Sequence, residues 1–206
     1  MKTQKLTELQ KDALREIANI GACHAATALS QLVQKKILIE VPKMSIIPFP
    51  DLTKIFDGPE TPTVGMYTPI FGDLSGSILF LLPSEDALRI VDLLWGRPKG
   101  KTENLEEEDL ELLRQTAGIL VASYLSALSK FVGLTVLASS SAISSDMLGA
   151  VVDAIIIETD LHAEEAVLVE TELVETANRV RGVMFFMPDG PSVDKILENL
   201  RLDDEF

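Results

Sequence analysis

The sequence has little of several things, and each scarcity excludes something. It contains one cysteine, Cys23, so no disulfide can form within the chain; this suits a reducing compartment. Basic residues are outnumbered, 18 against 32 acidic, leaving a net charge of −14. Binding nucleic acid or an anionic membrane needs the opposite sign over a broad surface. Apolar runs such as Ile78–Leu82 and Val183–Met187 fall far short of the roughly 18 residues of a membrane span. The opening Met1-Lys-Thr-Gln-Lys has no apolar signal region. These absences lead us to expect a cytoplasmic protein with no nucleic-acid partner and no membrane insertion.

What is present is globular. Of 206 residues, 47% are hydrophobic and 24% charged, enough to bury a sizeable core without staples. Thr7 to Gln34 carries a helical stripe of Leu9, Ala13, Leu14, Ile17, Ile20, Ala25, Ala28, Leu29 and Leu32. Thr7 with Gln10 three residues on reads as a capping box. Strands are expected at Ile37–Val41, Met44–Ile47, Val64–Phe71 and Ser75–Leu82, with a short helix at Asp51–Phe56. Ser84 is expected to cap a helix reaching Trp95, before a turn-rich linker, Gly96-Arg-Pro-Lys-Gly-Lys. The order then repeats: helix Glu106–Val132, strand Leu134–Ala138, a helix capped by Ser145, strands Ala166–Val174 and Gly182–Met187, and helix Ser192–Leu200.

The repeat is also written in residues. A shift of 99 lays Leu14-Arg15 on Leu113-Arg114 and Ala28-Leu29-Ser30 on Ala127-Leu128-Ser129. Ile78-Leu-Phe-Leu-Leu-Pro83 resembles Val183-Met-Phe-Phe-Met-Pro188. The expected fold is α+β: a single domain over 1–206 with pseudo-repeat halves 1–98 and 105–206. Its long helices should pack on one shared, mostly antiparallel sheet.

Asp12, Glu16 and Asn19 are spaced i, i+4, i+7, which sets them on one helical stripe. A carboxylate can pair with a lysine, and a carboxamide can hold a water through donor and acceptor together. The bland reading of the same residues ends the helix at Asn19-Ile20-Gly21 and leaves Glu16 as a solvated surface residue. Cys23 and His24 are adjacent and so point apart on a helix. His162 stands alone in an acidic loop, and no metal site is expected.

With Pro42 added, the set Asp12, Glu16, Asn19, Pro42 and the helix Glu16-Ile-Ala-Asn-Ile-Gly-Ala-Cys-His-Ala-Ala-Thr-Ala-Leu-Ser30 resemble the CheC/CheX/FliY phosphatase family, its CheC members in particular. Ala18, Cys23 and His24 depart from the Gly, Gly and Asn common there. The resemblance implies hydrolysis of the aspartyl phosphate of the response regulator CheY, with Glu16 pairing with the regulator's lysine and Asn19 positioning water. Asp12 and Pro42 support that motif. It also implies that CheY carries the Mg²⁺, so that this chain needs no cofactor of its own. The second copy of the motif falls on Glu111, Gln115, Gly118 and Ser141 and has lost its chemistry. Asp146-Met147 sits where such proteins dock the receptor deamidase CheD. The alternative function is therefore that of a non-catalytic CheD partner; a bland reading makes Asp146 merely favourable in the first turn of a helix capped by Ser145.

Overall fold

The computed structural model describes residues 7–39, 43–47, 49–159, 166–175 and 180–200. The first long helix, α1 (Glu8–Val33), begins with the capping box expected. Gln10 N–H donates to Thr7 Oγ1, and Thr7 N–H donates to Gln10 Oε1. Its counterpart α3 (Glu107–Val132) coincides with it at both ends under the shift of 99. Each ends on a left-handed residue, Gln34 at φ 52° and Gly133 at φ 70°, the conformation that satisfies a helix's last carbonyls. The exit device repeats too: Ile37 N–H donates to Ser30 Oγ (3.0 Å), and Val136 N–H donates to Ser129 Oγ (3.3 Å).

The strands are β1 (Leu38–Ile39), β2 (Lys43–Ile47), β3 (Pro62–Gly72), β4 (Gly76–Pro83), β5 (Val136–Ala138), β6 (Ala142–Met147), β7 (Ala166–Glu175) and β8 (Val180–Pro188). They form one sheet in the order β1-β7-β8-β4-β3-β5, with β2 also on β7 and β6 also on β3. Every pairing is antiparallel. The central pair is β4–β8, with Leu79 opposite Phe185. The halves exchange strands around it. β1 and β2 of the first half pair with β7 of the second, and β5 and β6 of the second pair with β3 of the first.

The remaining helices are α2 (Ser84–Leu94), α4 (Leu148–Thr159) and α5 (Gly190–Asn199). Period-two alternation gives the sheet two apolar faces. Val64, Met66, Ile78, Phe80, Met184 and Phe186 pack with α1, α2, α3 and α5. Leu79, Leu81, Val183, Phe185 and Met187 pack with Leu148, Val151, Val152 and Ile155 of α4 and with Leu52. Among the described residues no helix is long and apolar enough to cross a membrane.

Three local expectations are corrected. Ser145 caps no helix: β6 runs through it to Met147, held by its register with β3, and α4 starts at Leu148. Asp146 therefore lies on a strand end and not in a helical first turn. Its Oδ1 accepts the N–H of Met147 instead (2.7 Å). Ser84 is the first residue of α2, with Pro83 in the cap position and no side-chain cap bond. The short helix expected at Asp51–Phe56 is a 3₁₀ helix over Phe49–Lys54. The strand expected at Ile37–Val41 is described only over Leu38–Ile39, and Pro42, His162 and the acidic end Asp203–Phe206 lie outside the described residues.

Candidate functional site

Helix α1 runs unbroken through Asn19-Ile20-Gly21, so the reading in which the helix ends there is excluded. Leu14, Ile17, Ala18, Gly21, Ala22 and Ala25 face inward and are buried. Asp12 and Glu16 are exposed and Asn19 is half-buried at the edge of the same outward stripe. Helical geometry puts Glu16 and Asn19 one turn apart on that stripe.

Behind it the two long helices touch closely. A Cβ on Gly21 would come within 2.5 Å of the Tyr124 ring, so glycine is required by space, not by backbone conformation. Tyr124 is fully buried against Phe186, with ring centroids 5.6 Å apart. Its hydroxyl has no hydrogen-bond partner among the described residues, and burial pushes its pKa up. The contact braces α1 from the side opposite the polar stripe. Nothing local in the sequence announces it beyond a large aromatic at Tyr124 where the shift of 99 falls on Ala25.

The polar groups of the stripe are in different states. Arg15 Nη1 donates to Asp12 Oδ1 at 2.6 Å in an exposed ion pair. Glu16 has no ion-pair partner among the described residues. Asn19 Oδ1 accepts a long contact from the thiol of Cys23, 3.9 Å away. A carboxamide oxygen has two lone pairs, so one acceptor position and both N–H donors of Asn19 are uncommitted among the described residues. The stripe can thus offer a negative charge and, one turn on, a donor–acceptor group able to hold a water.

The matching face of α3 is differently committed. Arg114 grips Glu111 through two bonds, Nε at 2.7 Å and Nη2 at 2.6 Å, and Gln115 Nε2 donates to Glu111 at 2.8 Å. These hydrogen bonds, Arg114 first, hold the Glu111 carboxyl down at about 2. Gln115 brings no charge. Gly118 brings no side chain, although a Cβ there would meet nothing within 4 Å. Ser141, at the position matching Pro42, is buried and shares a 2.7 Å hydrogen bond with Thr68. At Gly118 there is room for a side chain that the residue does not carry.

Asp146 and Met147 lie elsewhere, at the end of β6. Met147 is about half exposed, and α4 follows it directly, with Ala150, Asp153, Ala154 and Ile157 exposed. Ile157, at 81%, is the most exposed large apolar side chain among the described residues. No three His, Cys, Asp or Glu side chains cluster as metal ligands among the described residues.

Comparison with known proteins agrees with this frame. Residues 9–46, which hold the stripe, match the model of the CheC-like family. The CheY-P phosphatase CheC of Bacillus subtilis is 34% identical over 195 residues, 93% of each chain. The flagellar motor switch phosphatase FliY of the same organism is 33% identical over 125 residues, 60% of this chain and 32% of that one. The crystal structure of Thermotoga maritima FliY superposes with a TM-score of 0.75 at 21% identity, covering 98% of this chain and all of that one. That last likeness is one of fold.

Proposed function

The chain belongs to the CheC-like family, and on that premise we propose that it dephosphorylates a CheY-type response regulator in the cytoplasm through Glu16 and Asn19. The observation that carries the reading is the unbroken run of α1 past Gly21, which leaves Glu16 and Asn19 outward on one stripe. Glu16 pairs with a lysine at the regulator's phosphorylation site. Asn19 enters beside it and holds a water in line with the phosphorus. The water oxygen bonds to phosphorus as the bond from phosphorus to the aspartate oxygen breaks. The products are free aspartate and inorganic phosphate, and the water's protons pass to phosphate and solvent. The leaving carboxylate has a conjugate-acid pKa near 4, so no general acid is needed.

Catalysis of this kind is positioning plus electrostatics. The acyl phosphate and its Mg²⁺ belong to the regulator. An acceleration on the order of 10–10³, or about 1.4–4 kcal/mol, is all the stripe must supply. Asp12 holds Arg15 at 2.6 Å, which keeps that cation from pairing with Glu16. Pro42 is assigned by its spacing in the motif. The test is release of phosphate from phosphorylated CheY. Asn19→Ala and Glu16→Ala should each lower the rate by about tenfold or more, and unchanged rates in both would remove these residues from the mechanism.

A second reading is favoured by one feature, the apolar outer face of α4. A helix largely apolar on both sides is ordinarily covered, and here Ala150, Ala154 and Ile157 are exposed with Asp153 as the one charge among them. That face, with Asp146 at its start, suits docking of the deamidase CheD. Calorimetry with CheD should show binding that Ile157→Asp and Asp146→Lys weaken. Undiminished binding in both variants would exclude this surface. The two roles are compatible, since the faces are separate.

A further inference from the structure

The first turns of α3 overhang the free edge of the sheet, and a groove of about 740 Å³ runs between them. Its apolar floor is Leu112 and Ile143, and Trp95 closes one end. Ile143 belongs to β6 and packs toward the helices. The indole is fixed: its Nε1–H donates to Asp109 Oδ1 (2.9 Å), and the Arg97 guanidinium lies 5.2 Å from the ring centroid. The rim is Glu107, Glu108 and Glu111. Arg114 neutralises Glu111, whereas Glu107 and Glu108 are exposed with no cation paired to either among the described residues.

β6 itself pairs with β3 and with no other strand among the described residues. Edge strands left open are usually guarded by lysine, proline or a bulge. The sequence Ala-Ile-Ser-Ser-Asp-Met has neither lysine nor proline, its one charge, Asp146, sits next to the strand's end, and its register with β3 is unbroken over six residues. An extended chain laid along this edge would find backbone partners. Lysine or arginine at its groove-facing positions would lay their methylene stems on Leu112 and Ile143 and carry their charges to the acidic rim, while the alternating apolar residues face the other side of the sheet.

We infer that the β6 edge and the groove under α3 bind an extended segment of a partner protein, one alternating apolar residues with lysine or arginine, by strand addition. Charge selects this occupant. A second copy pairing β6 to β6 would bring two acidic rims together, and a phosphate backbone or anionic lipid would be repelled by the same carboxylates. The proposal is independent of Glu16 and Asn19.

The probe is a synthetic peptide Lys-Val-Lys-Val-Lys-Val-Lys, added to the full chain, with its Glu-Val twin as control. Trp95 is the one tryptophan of the sequence, so its emission reports the groove directly. Amide exchange of residues 142–147 reports the edge. The lysine peptide should shift Trp95 emission and protect the β6 amides, and the glutamate twin should do neither. Glu107→Lys with Glu108→Lys should weaken binding by about tenfold or more, with phosphatase activity kept. Protection absent from β6, equal binding of the twin, or undiminished binding by the charge-reversed variant would overturn the proposal. So would concentration-dependent protection of β6 without peptide, which assigns the edge to a second copy.

Discussion

Gly21 and Tyr124 set a measurable constraint two residues from Asn19. Gly21→Ala drives a methyl into a ring held on all sides, and overpacking of this kind costs about 1–3 kcal/mol. A lower urea midpoint checks it. Replacing the ring by leucine should relieve the clash, so Gly21→Ala with Tyr124→Leu should lose less than the two single losses added. Tyr124→Phe keeps the ring and removes a hydroxyl that meets no partner among the described residues. It should stabilise the protein by about 1 kcal/mol, read as a raised Tm. The stripe in front of this contact was legible in the sequence because helical spacing needs only local information. The contact behind it was not, since Gly21 and Tyr124 meet only when two helices far apart in sequence pack.

At the scale of elements, α3 holds in the second half the place that α1 holds in the first, with different outward residues. Gly118→Asn adds a side chain where nothing lies within 4 Å, and Gln115→Glu supplies the missing charge. Introduced together into an Asn19→Ala background, they should restore hydrolysis of phosphorylated CheY to within about tenfold of wild type. No recovery would show that the face lacks more than these two groups. The linker before α3 is tied down by one carboxylate. Asp92, 2% exposed, accepts from the N–H of Gly100, Lys101 and Thr102 and from Thr102 Oγ1. Burial pushes its pKa up, but the Thr102 hydroxyl and the three amides outweigh burial and leave it lowered. A lowered folded pKa means stability present above the unfolded value near 3.9 and lost as pH falls through the folded one. Asp92→Asn should cost about 2 kcal/mol at neutral pH. The gap to wild type should narrow in urea titrations below about pH 4. The sequence showed Gly96–Lys101 as a linker; its anchor was invisible, because an aspartate inside a helix reads as surface.

The whole molecule is organised by exchange. Residues 1–98 hold β1 and β2 but not β7, and residues 105–206 hold β5 and β6 but not β3. Expressed separately, each half should show a disordered NMR spectrum, and mixing the two should recover dispersed signals. The shift of 99 that aligns Leu14-Arg15 with Leu113-Arg114 also carries Glu8 onto Glu107 and Phe49 onto Leu148, where elements of the fold begin. The partners were not readable. Strand pairing here joins residues far apart in the chain, such as Val64 with Ser145 and Ser45 with Leu168, and no local pattern encodes that. Ser145 was misplaced for the same reason, since β3 decides its conformation and Ser-Ser-Asp by itself resembles a helix start.

The exchange of strands has a consequence for descent. A chain of half this length, paired in this way, completes itself only with a twin, and in such a dimer every mutation strikes both faces at once. Joining the twins through residues 96–106 keeps each within reach of the other at a high effective concentration. It also frees their histories. Either half can then change the outward face of its long helix without the other changing with it, while its strands are still needed to complete its sibling's sheet.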